Sequence, residues 1–147
     1  MLPKDESLRL NLETKNCYVC GKQNAAGFQI EFFPDGDTGT RAEYIARKEH
    51  CGWPGLLHGG VAFTLMDEAL AYALYMQGLY GVTAKAETRF RQPIRAGEKI
   101  IIRAWTKEQR RQLIEARAEI RLARDGSPLV AECDATMYLQ EARKEGA

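Results

Sequence analysis

The sequence has no run of the ~18 apolar residues that a membrane helix needs, and no single sign of charge dominates it. Its opening, Met1 to Asn11, is polar and charged, without the apolar stretch of a signal peptide. Lysine and arginine number 21 against 20 aspartate and glutamate, so the net charge is +1. That balance offers no general attraction to nucleic acid or to an anionic membrane. Repeats, low-complexity tracts and Pro/Gly/Ser linkers are absent as well. The expectation is a cytoplasmic protein with neither a nucleic-acid nor a membrane partner.

Cysteine is sparse. Of the four, Cys17 and Cys20 form one Cys-x-x-Cys, and the strong zinc signature needs a second such pair. Cys51, with His50 beside it, would complete a tetrahedral set only at an irregular spacing. No strand–helix unit follows the pair, which argues against a thioredoxin-like redox role. Reduced thiols and no metal are the expected state.

What is present fits a single domain over residues 17–147, preceded by a loosely attached arm over 1–16. Phe28, Ile30 and Phe32 alternate with polar neighbours and predict a first strand over 28–32, closed by a turn through Pro34-Asp35-Gly36-Asp37. A second strand is predicted from about Thr40 to Ala46. A loop rich in Gly and Pro then leads into the one convincing helix, roughly Gly60 to Gln77. There Ala62, Leu65, Met66, Ala69, Leu70, Ala73 and Leu74 recur at helical spacing, and the other faces carry Val61, Phe63, Ala71, Tyr72 and Tyr75. A helix apolar nearly all round is buried. Four strands follow, over about 84–91, 99–107, 114–122 and 129–139, with a hairpin signal at Asp125-Gly126. In the third strand Ala84, Ala86, Thr88 and Phe90 are expected on one face. Period-two patterning with one apolar face means antiparallel pairing. The α+β order β-β-α-β-β-β-β therefore predicts one long antiparallel sheet wrapped around one central buried helix, with the alanine-rich strand faces packed close against it.

Two carboxylates, Asp67 and Glu68, interrupt the apolar helix, and a charge is costly to bury without a partner. For Glu68 the reading is a solvent-exposed sliver or an arginine from a strand. For Asp67 it is function, because of what precedes it. His58-Gly59-Gly60 runs straight into the helix, where glycines admit close backbone approach and the first N–H groups have no intrahelical partner. With the positive end of the helix dipole, they suit a developing oxyanion. From Gly59 to Asp67 is eight residues, about 12 Å along a helix. One carbonyl cannot touch both in one chain, so if they cooperate the second group comes from another subunit.

The segment His58-Gly59-Gly60-Val61-Ala62-Phe63-Thr64-Leu65-Met66-Asp67 resembles the signature of hotdog-fold acyl-CoA thioesterases, in the branch of the phenylacetate-pathway enzymes. Cys17-Tyr18-Val19-Cys20-Gly21 and Thr88-Arg89-Phe90-Arg91-Gln92-Pro93 extend the resemblance over roughly residues 17–140. It implies hydrolysis of acyl-CoA to a carboxylic acid and CoA by a homodimer or homotetramer, with no cofactor and no metal. Asp67 would be general base or nucleophile, Gly59 the N–H donor to the carbonyl, His58 a shaper of the site, and Thr83 a hydroxyl assisting the acid or the water. Gly60 is a candidate for substrate contact, and Arg89 and Arg91 are candidates for the CoA phosphates. One departure stands out: where many relatives carry Asn, six residues before the His, this chain has Gly52. Three alternatives remain open: a non-catalytic acyl-CoA binding module, an acyl-thioester hydratase or dehydratase, and a structural subunit stapled by zinc through Cys17 and Cys20.

Overall fold

The computed structural model describes residues 14–140. The arm expected over 1–16 therefore lies outside the described residues as far as residue 13, as do residues 141–147. Six strands and one α-helix follow the predicted order: β1 (Phe33–Asp35), β2 (Gly39–Ile45), α1 (Gly59–Tyr75), β3 (Gly81–Phe90), β4 (Lys99–Arg110), β5 (Leu113–Leu122) and β6 (Leu129–Leu139). All pair antiparallel in one sheet of order β1-β2-β4-β5-β6-β3. This is the hotdog arrangement, a sheet curled about one helix. No helix among the described residues is long and apolar enough to cross a membrane.

The helix buries the seven residues its spacing marks, from Ala62 to Leu74. They meet Ile100, Ile102, Ile120, Val130 and Met137, all withdrawn from solvent. Small residues on both sides, Ala69 and Ala73 on the helix and Ala116, Ala118 and Ala135 on the sheet, are buried as well. Close apposition of α1 to the strands follows, because a methyl on either surface leaves little to hold them apart. Val61, Phe63, Tyr72 and Tyr75 on the remaining faces are only half covered.

Two predicted strands change shape. Residues 28–32 are not a strand, although Phe28, Ile30 and Phe32 are buried in the predicted alternation. Gln29 takes a left-handed φ of 55°, which breaks the extended run, and the Phe28 and Ile30 N–H groups bond the Tyr18 and Val19 carbonyls. Apolar alternation thus records burial against the Cys-x-x-Cys loop, and β1 proper starts at Phe33. In β3 a bulge between Thr83 and Lys85 shifts the register, so Ala84 is exposed and Thr83 turns towards α1. The edge of β3 away from β6 has no strand beside it.

Candidate active site

At the start of α1 the chain spends its backbone donors unevenly. His58 is the N-cap, with extended φ and ψ of −61° and 132°. Its carbonyl accepts from the Val61 and Ala62 N–H groups, and its Nδ1 accepts from the Gly60 N–H at 2.9 Å. Gly60, expected to contact substrate, therefore has its N–H engaged. An Nδ1 that accepts holds no proton, so the neutral ring carries it on Nε2. Among the described residues only the Gly59 N–H of this turn has no acceptor. Gly59 lies on the wall of a cleft of about 330 Å³, with Trp53, Phe90, Arg91, Pro93 and Val130 among its lining.

The glycines here make room for a ring. A Cβ at Gly52 would stand 2.9 Å from His58 Cδ2, and one at Gly60 would stand 3.0 Å from Nδ1. The imidazole thus sits between two positions without side chains. The His58 ring leaves little space for a side chain at position 52. A Cβ at Gly59 would meet only the Phe90 ring, at an ordinary 3.8 Å.

Two turns further along, Asp67 Oδ1 accepts a 2.7 Å hydrogen bond from Thr83 Oγ1. The bulge in β3 makes this contact possible, since it turns the hydroxyl to the helix. Both residues are half-buried, and Oδ2 of Asp67 has no partner among the described residues. The structure therefore brings Thr83 to Asp67, and His58 to Gly59 and Gly60, as two separate groups along one helix.

The arginines divide. Arg91 lines the cleft and bonds Glu132 at 3.1 Å, while Arg89 faces Glu87 at 3.9 Å and is not part of the lining. Trp53, with 81% of its surface exposed, stands at the cleft with no packing role that would account for it.

Glu68 departs from both readings of the sequence. It is not exposed, and among the described residues it is not paired with an arginine; it is half-buried against the thiols of Cys17 and Cys20, with Cys17 Sγ donating at 3.5 Å. Burial pushes its carboxyl above the ordinary range, and the two thiols, as donors, pull the other way. Burial likewise pushes the Cys20 thiol and the Tyr72 hydroxyl beside it upwards. Sequence reasoning missed this cluster: its only signal was the Cys-x-x-Cys, for which the spacing offered Cys51 and His50 as partners and not Glu68. Cys51 and His50 are engaged elsewhere: Cys51 Sγ with the Arg47 carbonyl, and the His50 ring with Tyr44 and Phe28. Next to Glu68, Tyr72, Tyr75, Leu79 and Tyr80 line a second, smaller cavity of about 120 Å³. Met76, close to them in sequence, is core.

A family model described as "Thioesterase superfamily" matches residues 54–129. Among solved structures, a thioesterase superfamily protein superposes with a TM-score of 0.75 at 24% identity, covering 80% of this chain and 60% of that one. This chain thus spans about three fifths of that protein's length. The PaaI protein of the E. coli phenylacetic acid degradation operon gives 0.76 at 21% identity, covering 89% and 94%. A hypothetical thioesterase of Streptococcus pneumoniae, solved with coenzyme A, gives 0.71 at 20%, covering 78% and 88%. A search of curated protein sequences returns no match.

Proposed function

The chain belongs to the thioesterase superfamily, and from that membership we propose that it hydrolyses an acyl-CoA thioester to a carboxylic acid and free CoA. The observation that carries this reading is the unpaired Gly59 N–H at the positive end of α1, on the wall of an open cleft. A thioester carbonyl oxygen placed there gains negative charge as the tetrahedral intermediate forms, and the N–H with the helix dipole stabilises that charge. Asp67 supplies the other half. Thr83 holds one carboxylate oxygen, which leaves the second to take a proton from water or to attack the carbonyl. Through water, the C–O bond forms, the C–S bond breaks, and the proton passes through Asp67 to the CoA thiolate. Through direct attack, Asp67 forms a C–O bond to the acyl carbon as the C–S bond breaks and CoA leaves as thiolate; water then cleaves the anhydride, giving the acid, free Asp67 and the proton the thiolate takes up.

The two groups belong to different subunits in this proposal, because about 12 Å of helix separates them within one. The β3 edge of one chain pairing with the β3 edge of a second would extend the sheet across a twofold axis and bring Asp67 of each chain towards Gly59 of the other. Phe90, 57% exposed at the end of that edge and beside Gly59, would be covered by such pairing. Arg91 is the cation placed to meet a CoA phosphate at the cleft. Structural likeness to a protein solved with coenzyme A supports the carrier. A hydratase reading is disfavoured by His58, whose Nδ1 is occupied and whose Nε2 then carries a proton, leaving no free base. Gly52 favours the second reading, an acyl-CoA binding module, since it offers no side chain to position a water.

Thiol release from a panel of aromatic and aliphatic acyl-CoAs, wild type against Asp67→Ala, tests the proposal. The wild type should release CoA and the variant should be slower by about 10²-fold or more. A wild type that binds every thioester and cleaves none would leave the binding module.

A further inference from the structure

The Cys17–Gly21 loop is built to hold two thiols against one helix position. The Gly21 N–H bonds the Cys17 carbonyl at 3.0 Å, and a Cβ at Gly21 would lie 2.4 Å from the Cys17 nitrogen, so only glycine closes this turn. Buried Val19 and the bonds from Phe28 and Ile30 to the Tyr18 and Val19 carbonyls fix the loop to the body of the domain. The thiols of Cys17 and Cys20 then point to one place, and Glu68 of α1 reaches the same place. One ligand atom from each lies within 4.8 Å of the others. Among the described residues no lysine, arginine or histidine forms an ion pair with Glu68, and Asp67 beside it adds a further acid.

We propose that Cys17, Cys20 and Glu68 bind a zinc ion, which fastens the Cys-x-x-Cys loop to the middle of α1. Two thiolates with one carboxylate are a borderline-soft set that suits zinc and not calcium or magnesium, which take oxygen alone. Zinc–sulfur bonds of about 2.3 Å put the two sulfurs about 3.8 Å apart in a tetrahedron, within the 4.8 Å that spans the three ligand atoms. Binding forms two Zn–S bonds and one Zn–O bond and releases the thiol protons and any proton on Glu68; nothing is oxidised or reduced. Zinc supplies the cation that the buried acid lacks. The fourth position of the tetrahedron falls to water.

Elemental analysis of the full chain purified with its thiols reduced, followed by cobalt(II) titration of the metal-stripped protein, tests this. The expected result is one metal per chain and a thiolate-to-cobalt charge-transfer band. Both should vanish in the Cys17→Ser/Cys20→Ser double variant and persist in Cys51→Ser. Glu68→Gln should weaken binding by roughly tenfold or more. Should the double variant fail to fold by circular dichroism, the wild-type and Glu68→Gln titrations decide on their own. A wild type that neither carries zinc nor develops the cobalt band overturns the proposal, as does a band that survives loss of both cysteines or an affinity indifferent to Glu68→Gln.

Discussion

The start and the middle of α1 both hold polar groups on one apolar helix, yet they hold them by different means. At the start, the group left available is a backbone N–H: His58 takes the Gly60 donor, its carbonyl takes the next two, and the Gly59 N–H has no acceptor among the described residues. In the middle, the polar groups are side chains, and each has a partner from elsewhere in the fold. Asp67 meets a hydroxyl brought in by a bulge in β3, while Glu68, one residue on and about 100° round the helix, meets two thiols from a distant loop. Adjacent carboxylates thus acquire different surroundings because a helix aims consecutive residues at different neighbours. A backbone site depends on a few consecutive residues. A side-chain site depends on the whole fold.

The sharpest way to break the comparison is to delete the backbone donor without touching the helix. Gly59 is the first helical residue, where proline is tolerated, and His58 before it already has the extended backbone that a residue preceding proline prefers. Gly59→Pro should therefore fold normally and lose about 10²–10³ in kcat, the usual cost of one oxyanion donor. Gly59→Ala keeps the N–H and meets only the Phe90 ring, so it should lose far less. Equal rates for the proline variant and the wild type would remove Gly59 from the mechanism. Next in size stands the loss of about 10²-fold for Asp67→Ala. Mixing Gly59→Pro chains with Asp67→Ala chains sharpens it further. If the site is shared between subunits, a mixed dimer holds one doubly damaged site and one intact site, and activity returns. If both groups act within one chain, mixing restores nothing.

Thr83→Val ranks third. It removes the hydroxyl that donates to Asp67 Oδ1 while keeping a branched side chain on the strand. A hydrogen bond to a charged group contributes about 1.5–3 kcal/mol, so a fall of roughly tenfold or more in kcat with little change in KM is expected. The same loss with Thr83→Ser, which retains the hydroxyl and its contacts with Asp67 and Met137, would show that the methyl group and not the hydrogen bond matters at this position.

How much of this was legible in the sequence follows the same division. His58, Gly59 and Gly60 are consecutive, and the apolar spacing from Ala62 to Leu74 marked the buried face of α1 residue by residue. Period-two patterning gave the antiparallel sheet, and the Asp125-Gly126 signal falls in the β5–β6 turn. What escaped depended on contacts distant in sequence or on local breaks in register. Nothing in the pattern of residues 84–91 announces the bulge that exposes Ala84. The alternation of Phe28, Ile30 and Phe32 reported burial faithfully, but burial alone does not make a strand. Fifty-one residues separate Cys17 from Glu68, and no spacing rule connects a loop cysteine to a helix carboxylate. Arg89 and Arg91 are indistinguishable as sequence, and only the strand end separates the one at the cleft from the one outside it.

The smallest expected effect bears on why position 52 is a glycine. If the free Gly59 N–H depends on His58 capping its neighbour, then crowding the imidazole should disturb the start of α1 and spare its middle. Gly52→Ala places a carbon 2.9 Å from His58 Cδ2, closer than real contacts allow, so the ring must move away from the Gly60 N–H. Losing an N-cap hydrogen bond costs about 1 kcal/mol. For a chain of this size that corresponds to roughly 2–4 °C in Tm. The Gly60 N–H, released, becomes a second free donor beside Gly59, and hydrolysis should change in KM and in rate. The cobalt band proposed for Cys17, Cys20 and Glu68, at the middle of the helix, should not change at all. An unchanged Tm and unchanged kinetics would mean that the ring has other room to occupy, and that Gly52 does not set the geometry of the helix start.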